Sequence, residues 1–285
     1  MIATLHKQFE RAKRHIPWHW RNAIPIDNVR IRTTRETLER CADLIHAQRG
    51  GAYLRFGDGD IYLANSMNDA LQTATPEFAK EMREAFQCNM PGVLKALPIH
   101  SEKFGCEEGM SPGVFLMRDE AAERFLRRTL ECFSGHPIYS AVALHYQFVV
   151  DFEYAVAFLK LLQQNTTLFV GAGDVPDADR NLLFGNAPHV CTPMKDSYRA
   201  LDRIERETVA ALENRDAYGV VVVATGCAGR VLVKRLLRRG LTRFFYFDFG
   251  SLLDIICGWH TRTWHTRAGI TQEQIKRLKR DLART

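Results

Sequence analysis

The chain has 285 residues, a formal charge of +6, 46% hydrophobic and 25% charged residues. These are the proportions of an ordinary globular protein, and the length suits one large domain or one domain with an appendage. The longest apolar stretch, 148–162, is broken by Asp151, Glu153 and Lys160, which excludes a membrane span there. The first residues lack the apolar core of a signal peptide. Seven cysteines with no C-x-x-C pair point to reduced thiols in a cytosolic protein and away from a zinc module.

Part of the positive excess lies in Arg230, Lys234, Arg235, Arg238, Arg239 and Arg243, and part in the tail 262–284. The preferred reading is a solvated helix face with a charged tail. The sharper one is a patch that draws in an anionic substrate or rests peripherally on an anionic membrane. Nucleic acid is not expected as a partner, because no recognition motif or stripe of interleaved aromatics is present.

Residues 1–30, with His15, Trp18, His19 and Trp20 before Pro25, read as an N-terminal arm. Thr33 and Glu36 have capping-box spacing and open a helix carrying Leu38, Cys41, Leu44 and Ile45, stopped at Gly50-Gly51. Tyr53 to Phe56 is a strand. Thr75-Pro76 opens a second helix with Phe78, Met82 and Phe86 on its buried side. Further helices are predicted over 119–133 and, as one long element, over 146–164. A strand over 166–171 runs into Gly171-Ala172-Gly173-Asp174, and 197–214 is an amphipathic helix. The run 218–224 is β-branched, as in a strand buried on both faces of a parallel sheet. It feeds Thr225-Gly226-Cys227-Ala228-Gly229, a helix to Arg239 and a strand over 244–248, which together make a βαβ unit.

The predicted fold is therefore α/β, a Rossmann-like, mainly parallel sheet with helices on both faces. It spans 31–268, between the arm 1–30 and a basic C-terminal helix 269–285.

In such a sheet the strand-to-helix loops share one edge, where ligands bind. The loop after the first strand carries Asp58 and Asp60 at spacing i, i+2. Gly57 and Gly59 are expected to supply positive φ and room for a ligand. Two carboxylates so placed suit a hard divalent cation that also touches a diphosphate. Thr225, Gly226 and Gly229 open a helix whose free N–H groups favour a phosphate, although tight-turn packing explains the glycines equally well. Gly171 and Gly173 have the spacing of a methyltransferase or dehydrogenase loop, but Val175-Pro176 stands where a helix should begin. Asp248, at a strand end, and Asp254 are acidic candidates for metal or substrate contact. His260 and His265, in a tandem W-H-T-R, are five apart and form a poor helical metal pair. His100 and His145 have no partner that sequence identifies. No G-x-S-x-G elbow is present.

With these residues in view, the chain resembles the GT-D-fold glycosyltransferases, a bacterial family of nucleotide-sugar-dependent enzymes. The likeness rests on Arg55-Phe56-Gly57-Asp58-Gly59-Asp60, which is similar to that family's R-[FY]-G-D-G-E segment with its D-x-E metal motif. Val220 to Gly229, Asn186-Ala187-Pro188 and Phe247 to Asp254 add support in the expected order. Position 60 is aspartate where the family usually has glutamate, which draws the carboxylate back by one methylene.

The resemblance implies metal-dependent transfer of a sugar from a nucleoside diphosphate, a UDP-sugar first among donors. The acceptor would be a hydroxyl of a glycan, glycoprotein or lipid-linked molecule. It further implies Mn2+ or Mg2+ on Asp58 and Asp60, Arg55 on a phosphate or orienting Asp58, and Asp248 as the general base. Two other readings stay open at this point. One is an S-adenosylmethionine-dependent methyltransferase built on Gly171 and Gly173. The other is a non-catalytic nucleotide-binding protein whose carboxylate loop is only a turn.

Overall fold

The computed structural model describes residues 26–130, 133, 137–259 and 263–284. Among them β1 (Gly51–Arg55), β2 (Val93–Leu97), β3 (Tyr139–Ser140), β4 (Thr166–Ala172), β5 (His189–Thr192), β6 (Val220–Ala224) and β7 (Phe245–Asp248) form one sheet. Their order is β3-β2-β1-β7-β6-β4-β5, and every pairing is parallel. β1 thus lies between β2 and β7, so the loops after β1, β7 and β6 emerge side by side on the carboxyl edge.

Alternation along the strands separates two cores. Val221 and Val223 of β6 point into one with Leu54, Phe56 and Phe86, while Val220 and Val222 face the other with Tyr53, Phe158 and Phe247. Helices cover both faces because both are apolar. The expected architecture is the observed one.

Local signals explain the helices. In α1 (Thr34–His46) Thr33 Oγ1 accepts from the Glu36 N–H at 3.1 Å, and Glu36 Oε2 accepts from the Thr33 N–H at 2.9 Å. The predicted long helix is in fact two, α5 (Ala143–Val150) and α6 (Phe152–Asn165). Asp151 leaves helical geometry at φ −140° and accepts from the Tyr154 N–H at 3.1 Å, so it ends one helix and caps the next. The remaining helices used below are α2 (Asp58–Ala64), α3 (Pro76–Phe86), α4 (Asp119–Leu130), α7 (Asp177–Phe184), α8 (Leu201–Glu213), α9 (Ala228–Arg238), α10 (Leu252–Ile256), α11 (Trp264–Arg267) and α12 (Gln272–Ala283).

The cations of the basic helix α9 are ion-paired, with Arg238 and Arg239 at its end still exposed. Lys234 Nζ, buried, lies 2.7 Å from Glu81 and 3.1 Å from Glu84. Arg235 pairs with Asp202 at 2.7 Å and Glu205 at 2.9 Å as well as with Glu81, and Arg238 reaches Glu84 at 2.7 Å. Arg239 also pairs with Glu205. These cations clamp α9 to α3 and α8. The tail is likewise docked: α12 buries Ile275, Leu278 and Leu282, and Lys279 meets Asp179 at 2.5 Å. Among the described residues no helix is long and apolar enough to cross a membrane. Of the arm 1–30, residues 1–25 lie outside the described residues, while Ile26–Asn28 forms a short 3-10 turn with Ile26 and Val29 buried.

Candidate active site

β1 is buried over its first four residues and delivers Gly57 as the N-cap of α2, with Asp58 and Asp60 in the helix's first turn rather than on a loop. Neither glycine has positive φ, contrary to the expectation: Gly57 is extended at φ −127°. Gly59 is small for another reason. A Cβ there would lie 2.7 Å from Asp69 Oδ1 and 3.2 Å from Cys227 Sγ.

The two carboxylates part ways. Asp60 is 2% exposed; its Oδ2 accepts the Gly57 N–H at 2.7 Å, half of a capping box. Its Oδ1 has no hydrogen-bond partner and faces Arg230 Nε at 3.4 Å. Burial raises the Asp60 carboxyl above its ordinary range, with Arg230 and the Gly57 N–H pulling it back. Asp58 is exposed and has no hydrogen-bond or ion-pair partner among the described residues. Crowding raises its carboxyl too, and its electrostatic neighbour is Arg128 on α4.

Arg230, read from sequence as part of a basic helix face, is the hub of the site. Nη2 lies 3.2 Å from Asp248 Oδ2, and Nε donates to the Arg55 carbonyl at 2.5 Å. Burial opposes its charge, but Asp248 and Asp60 outweigh that and hold the guanidinium protonated. Asp248 ends β7, lies 8% exposed and also accepts the Arg55 N–H at 3.3 Å on Oδ2. The Arg55 side chain does not orient Asp58. It donates to the Ala141 carbonyl at 2.5 Å and the Phe249 carbonyl at 3.2 Å, which leaves its charge without a carboxylate partner among the described residues. Gly250 is required beside it, because a Cβ there would meet Arg55 Nη1.

These groups border one cavity of about 560 Å3, of the size that takes a small ligand. Its lining includes Arg55, Gly57, Asp58, Asp60, Asp248 and Asp254 together with Thr225, Gly226, Cys227 and Arg230. Gly226 has φ +58° with open space around it, so here the positive-φ argument does hold. Thr225 Oγ1 is buried without a hydrogen-bond partner. Gly229 lies behind it, where a Cβ would be 2.6 Å from Thr225 Oγ1.

Gly171 and Gly173 are not among the lining residues, which include Ala172 and Val175 instead. Gly171 is small because the Phe169 ring lies where its Cβ would be, at 2.2 Å. That is packing for Gly171, and both glycines of the methyltransferase reading lie off this cavity. Asp69, Gln72 and Trp259 line the cavity without any sequence signal. His145 is buried beside it. Nε2 lies 3.4 Å from Ser251 Oγ, the ring packs 4.7 Å from Trp264, and burial holds the imidazole neutral. His260 lies outside the described residues.

Among the described residues no trio of His, Cys, Asp or Glu side chains could hold a metal ion by itself. Asp60 is already engaged by Arg230, so the residues do not fit an ion gripped by both motif carboxylates. They do fit an ion of the Mg2+ kind, which takes one or two carboxylates and fills its shell with substrate phosphates and water. The open carboxylate for that is Asp58.

Three solved structures align with 79% of the chain at 20% identity. One is described as a new glycosyltransferase (DUF1792) from Streptococcus sanguinis, with TM-score 0.60 over 82% of that chain. A selenomethionine structure of DUF1792 gives TM-score 0.60 over 79% of its chain. A third, described as showing that this domain has a distinct glycosyltransferase fold, gives 0.57 over 79%. The fold is that of the DUF1792 glycosyltransferases. No family model matches the chain, and no curated protein does. The GT-D resemblance read from Arg55 to Asp60 and the DUF1792 likeness read from the backbone therefore agree on one fold.

Proposed function

We propose that this chain is a glycosyltransferase that moves a sugar from a nucleoside diphosphate to an acceptor hydroxyl. The observation that carries the reading is a single cavity lined both by Asp58, Arg55 and Asp248 and by the Thr225–Cys227 turn at the start of α9. The structures with which it shares a fold are described as glycosyltransferases.

In the reaction the acceptor oxygen bonds to the anomeric carbon while the bond from that carbon to the diphosphate oxygen breaks. The electron pair leaves with the diphosphate, whose charge rises. Arg55 supplies a cation that no carboxylate among the described residues neutralises. The opening turn of α9 supplies oriented N–H groups at a helix terminus, the arrangement that favours phosphate. Thr225 Oγ1 adds a hydroxyl without a protein partner. Arg230 is satisfied by Asp60 and Asp248, so its part is to hold those carboxylates in place. The acceptor's proton is assigned to Asp248, whose ion pair and hydrogen bond both fall on Oδ2, leaving Oδ1 for the task. Mn2+ or Mg2+ held by Asp58 and the donor's phosphates would offset the developing charge as a Lewis acid.

The deciding experiment is a thermal-shift screen of UDP-, GDP-, TDP- and CMP-sugars, each with and without Mn2+ or Mg2+. Stabilisation by at least one sugar nucleotide is expected, with a UDP-sugar first. Stabilisation by none of them defeats the reading and favours a binding protein of another kind.

A further inference from the structure

A second concavity, about 960 Å3, opens on the far side of Asp58 and is lined by Pro98, Glu102, Val114, Met117, Asp119 and Glu120 among others. Asp58 is the one described residue that lines both this groove and the donor cavity. Topology explains the arrangement. The donor cavity lies over the loops of β1, β7 and β6, whereas the groove is built by the connection that leaves β2, on the opposite flank of β1. Asp58, just past the end of β1, stands on the divide.

The connection itself, residues 98–118, contains no helix or strand beyond isolated bridges. A loop of that length in a compact domain is usually functional. It is also preformed. Ser101 and Gly105 exchange backbone hydrogen bonds at 3.2 and 2.8 Å, and the Met117 N–H donates to the His100 carbonyl at 2.8 Å. His100 is buried, with Nδ1 3.2 Å from the Gly105 carbonyl and Nε2 2.7 Å from Ser140 Oγ. Thr34 donates from N and Oγ1 to Glu107 at 2.5 and 2.9 Å, and Met110, Phe115 and Tyr146 form a small core beneath. None of this framework is required to hold a nucleotide.

The groove's own lining is carboxylate-rich and apolar: Glu102, Asp119 and Glu120 with the cation Arg118, and Val114, Leu116 and Met117 beside them, while around Asp58 the adjoining cleft brings in Arg124 and Arg128. Carboxylates accept hydrogen bonds from hydroxyls, and apolar side chains take the C–H faces of a sugar ring. A phosphate or another carboxylate brought among Glu102, Asp119 and Glu120, the end away from Arg124 and Arg128, would meet like charge. We propose that this groove is the acceptor site and that it takes an uncharged glycan. The proposal rests on the glycosyltransferase reading of the neighbouring cavity, and it names the second substrate.

The test uses the full chain and an array that carries neutral glycans beside phosphorylated and sialylated ones. Glycan binding is read without donor, and transfer is read with whichever sugar nucleotide stabilises the protein. Binding and product on neutral glycans are expected. Met117→Ala and the charge reversal Glu120→Lys should each raise the acceptor KM roughly tenfold while donor Kd stays within about twofold. Both positions are at least partly exposed, and unchanged melting confirms that the variants fold. Retention of anionic glycans alone, no glycan bound at all, or an acceptor KM that ignores both substitutions would overturn the proposal. Donor Kd moving as much as acceptor KM would overturn it too. A protein that binds neutral glycans but no sugar nucleotide would defeat the transferase reading and the acceptor role with it, leaving only a neutral-glycan site.

Discussion

Arg230 Nε lies 3.4 Å from Asp60 Oδ1, with the Asp60 side chain only 2% exposed, so a carboxylate of the glycine-rich turn is matched by an internal cation. The partners come from α2 and α9, and the same guanidinium holds Asp248 at the end of β7. Breaking such a group by removing one member leaves charge buried and unpaired. Arg230→Met should therefore cost about 3–5 kcal/mol in urea unfolding. Adding Asp60→Asn to that variant should recover part of the loss, because one of the stranded carboxylates is then neutral. A loss below about 1 kcal/mol, the value of an exposed pair, would show that the cluster is not what ties α2, α9 and β7 together.

The motif aspartates should separate by readout. Asp58 is exposed and unpartnered, so Asp58→Asn should leave stability within about 0.5 kcal/mol while lowering transfer by roughly two orders of magnitude or more. Asp60→Asn removes the charge that faces Arg230 and should lower both melting temperature and transfer. Parallel melting curves and turnover assays check this, and excess chelator should reproduce the activity loss of Asp58→Asn without its being additive. Equal stability loss in both variants would contradict the division of labour.

What the sequence makes legible follows from which signals are local. Capping pairs such as Thr33 with Glu36 and the β-branched run 220–224 announce themselves, because propensity and tertiary packing agree there. The short strands β2, β3 and β5 do not. β2 reads Val-Leu-Lys-Ala-Leu, and the buried Lys95 hides it, since its ammonium is satisfied by the distant Phe86 carbonyl at 3.0 Å. The gathering of Asp58, Asp60, Asp248 and the Thr225 turn around one cavity is legible because strand-end position foretells which loops meet. Arg230 is not, because its role depends on β7 inserting between β1 and β6, a non-local pairing with no sequence mark. Likewise Gly171 looks like a ligand loop, yet its smallness answers to the Phe169 ring two residues earlier on the same face.

Gly229 offers a cleaner probe of the turn proposed to bind phosphate. A Cβ there would come within 2.6 Å of Thr225 Oγ1 and 3.0 Å of Val223 Cγ1, so Gly229→Ala must push the threonine hydroxyl aside. The helical position itself tolerates alanine, which is the better helix former. Nucleotide-sugar affinity should fall roughly tenfold, about one hydrogen bond's worth, with only a small change in melting temperature. Isothermal titration with the stabilising donor reads the change, and unaltered affinity would remove Thr225 from the binding set.

Acid should find the α3–α8–α9 clamp first. Burial works to raise the Glu81 carboxyl, but the hydrogen bonds and charges of Arg235 and Lys234 outweigh it and hold the group at about 2, against 4.5 in the unfolded chain. Since the folded value lies below the unfolded one, this contribution is fully present above about pH 4.5 and is lost as pH falls from there toward 2. Glu81 is partly open to water, so screening reduces its worth to roughly 1–2 kcal/mol at neutral pH. Glu81→Gln should therefore be less stable than the parent by that amount at pH 7, and the gap should narrow steadily below about pH 4.5 as the parent loses its advantage. Urea unfolding of both proteins between pH 7 and pH 3 measures the gap. A difference that stays constant over this range would mean that Glu81 acts through packing and not through its charge.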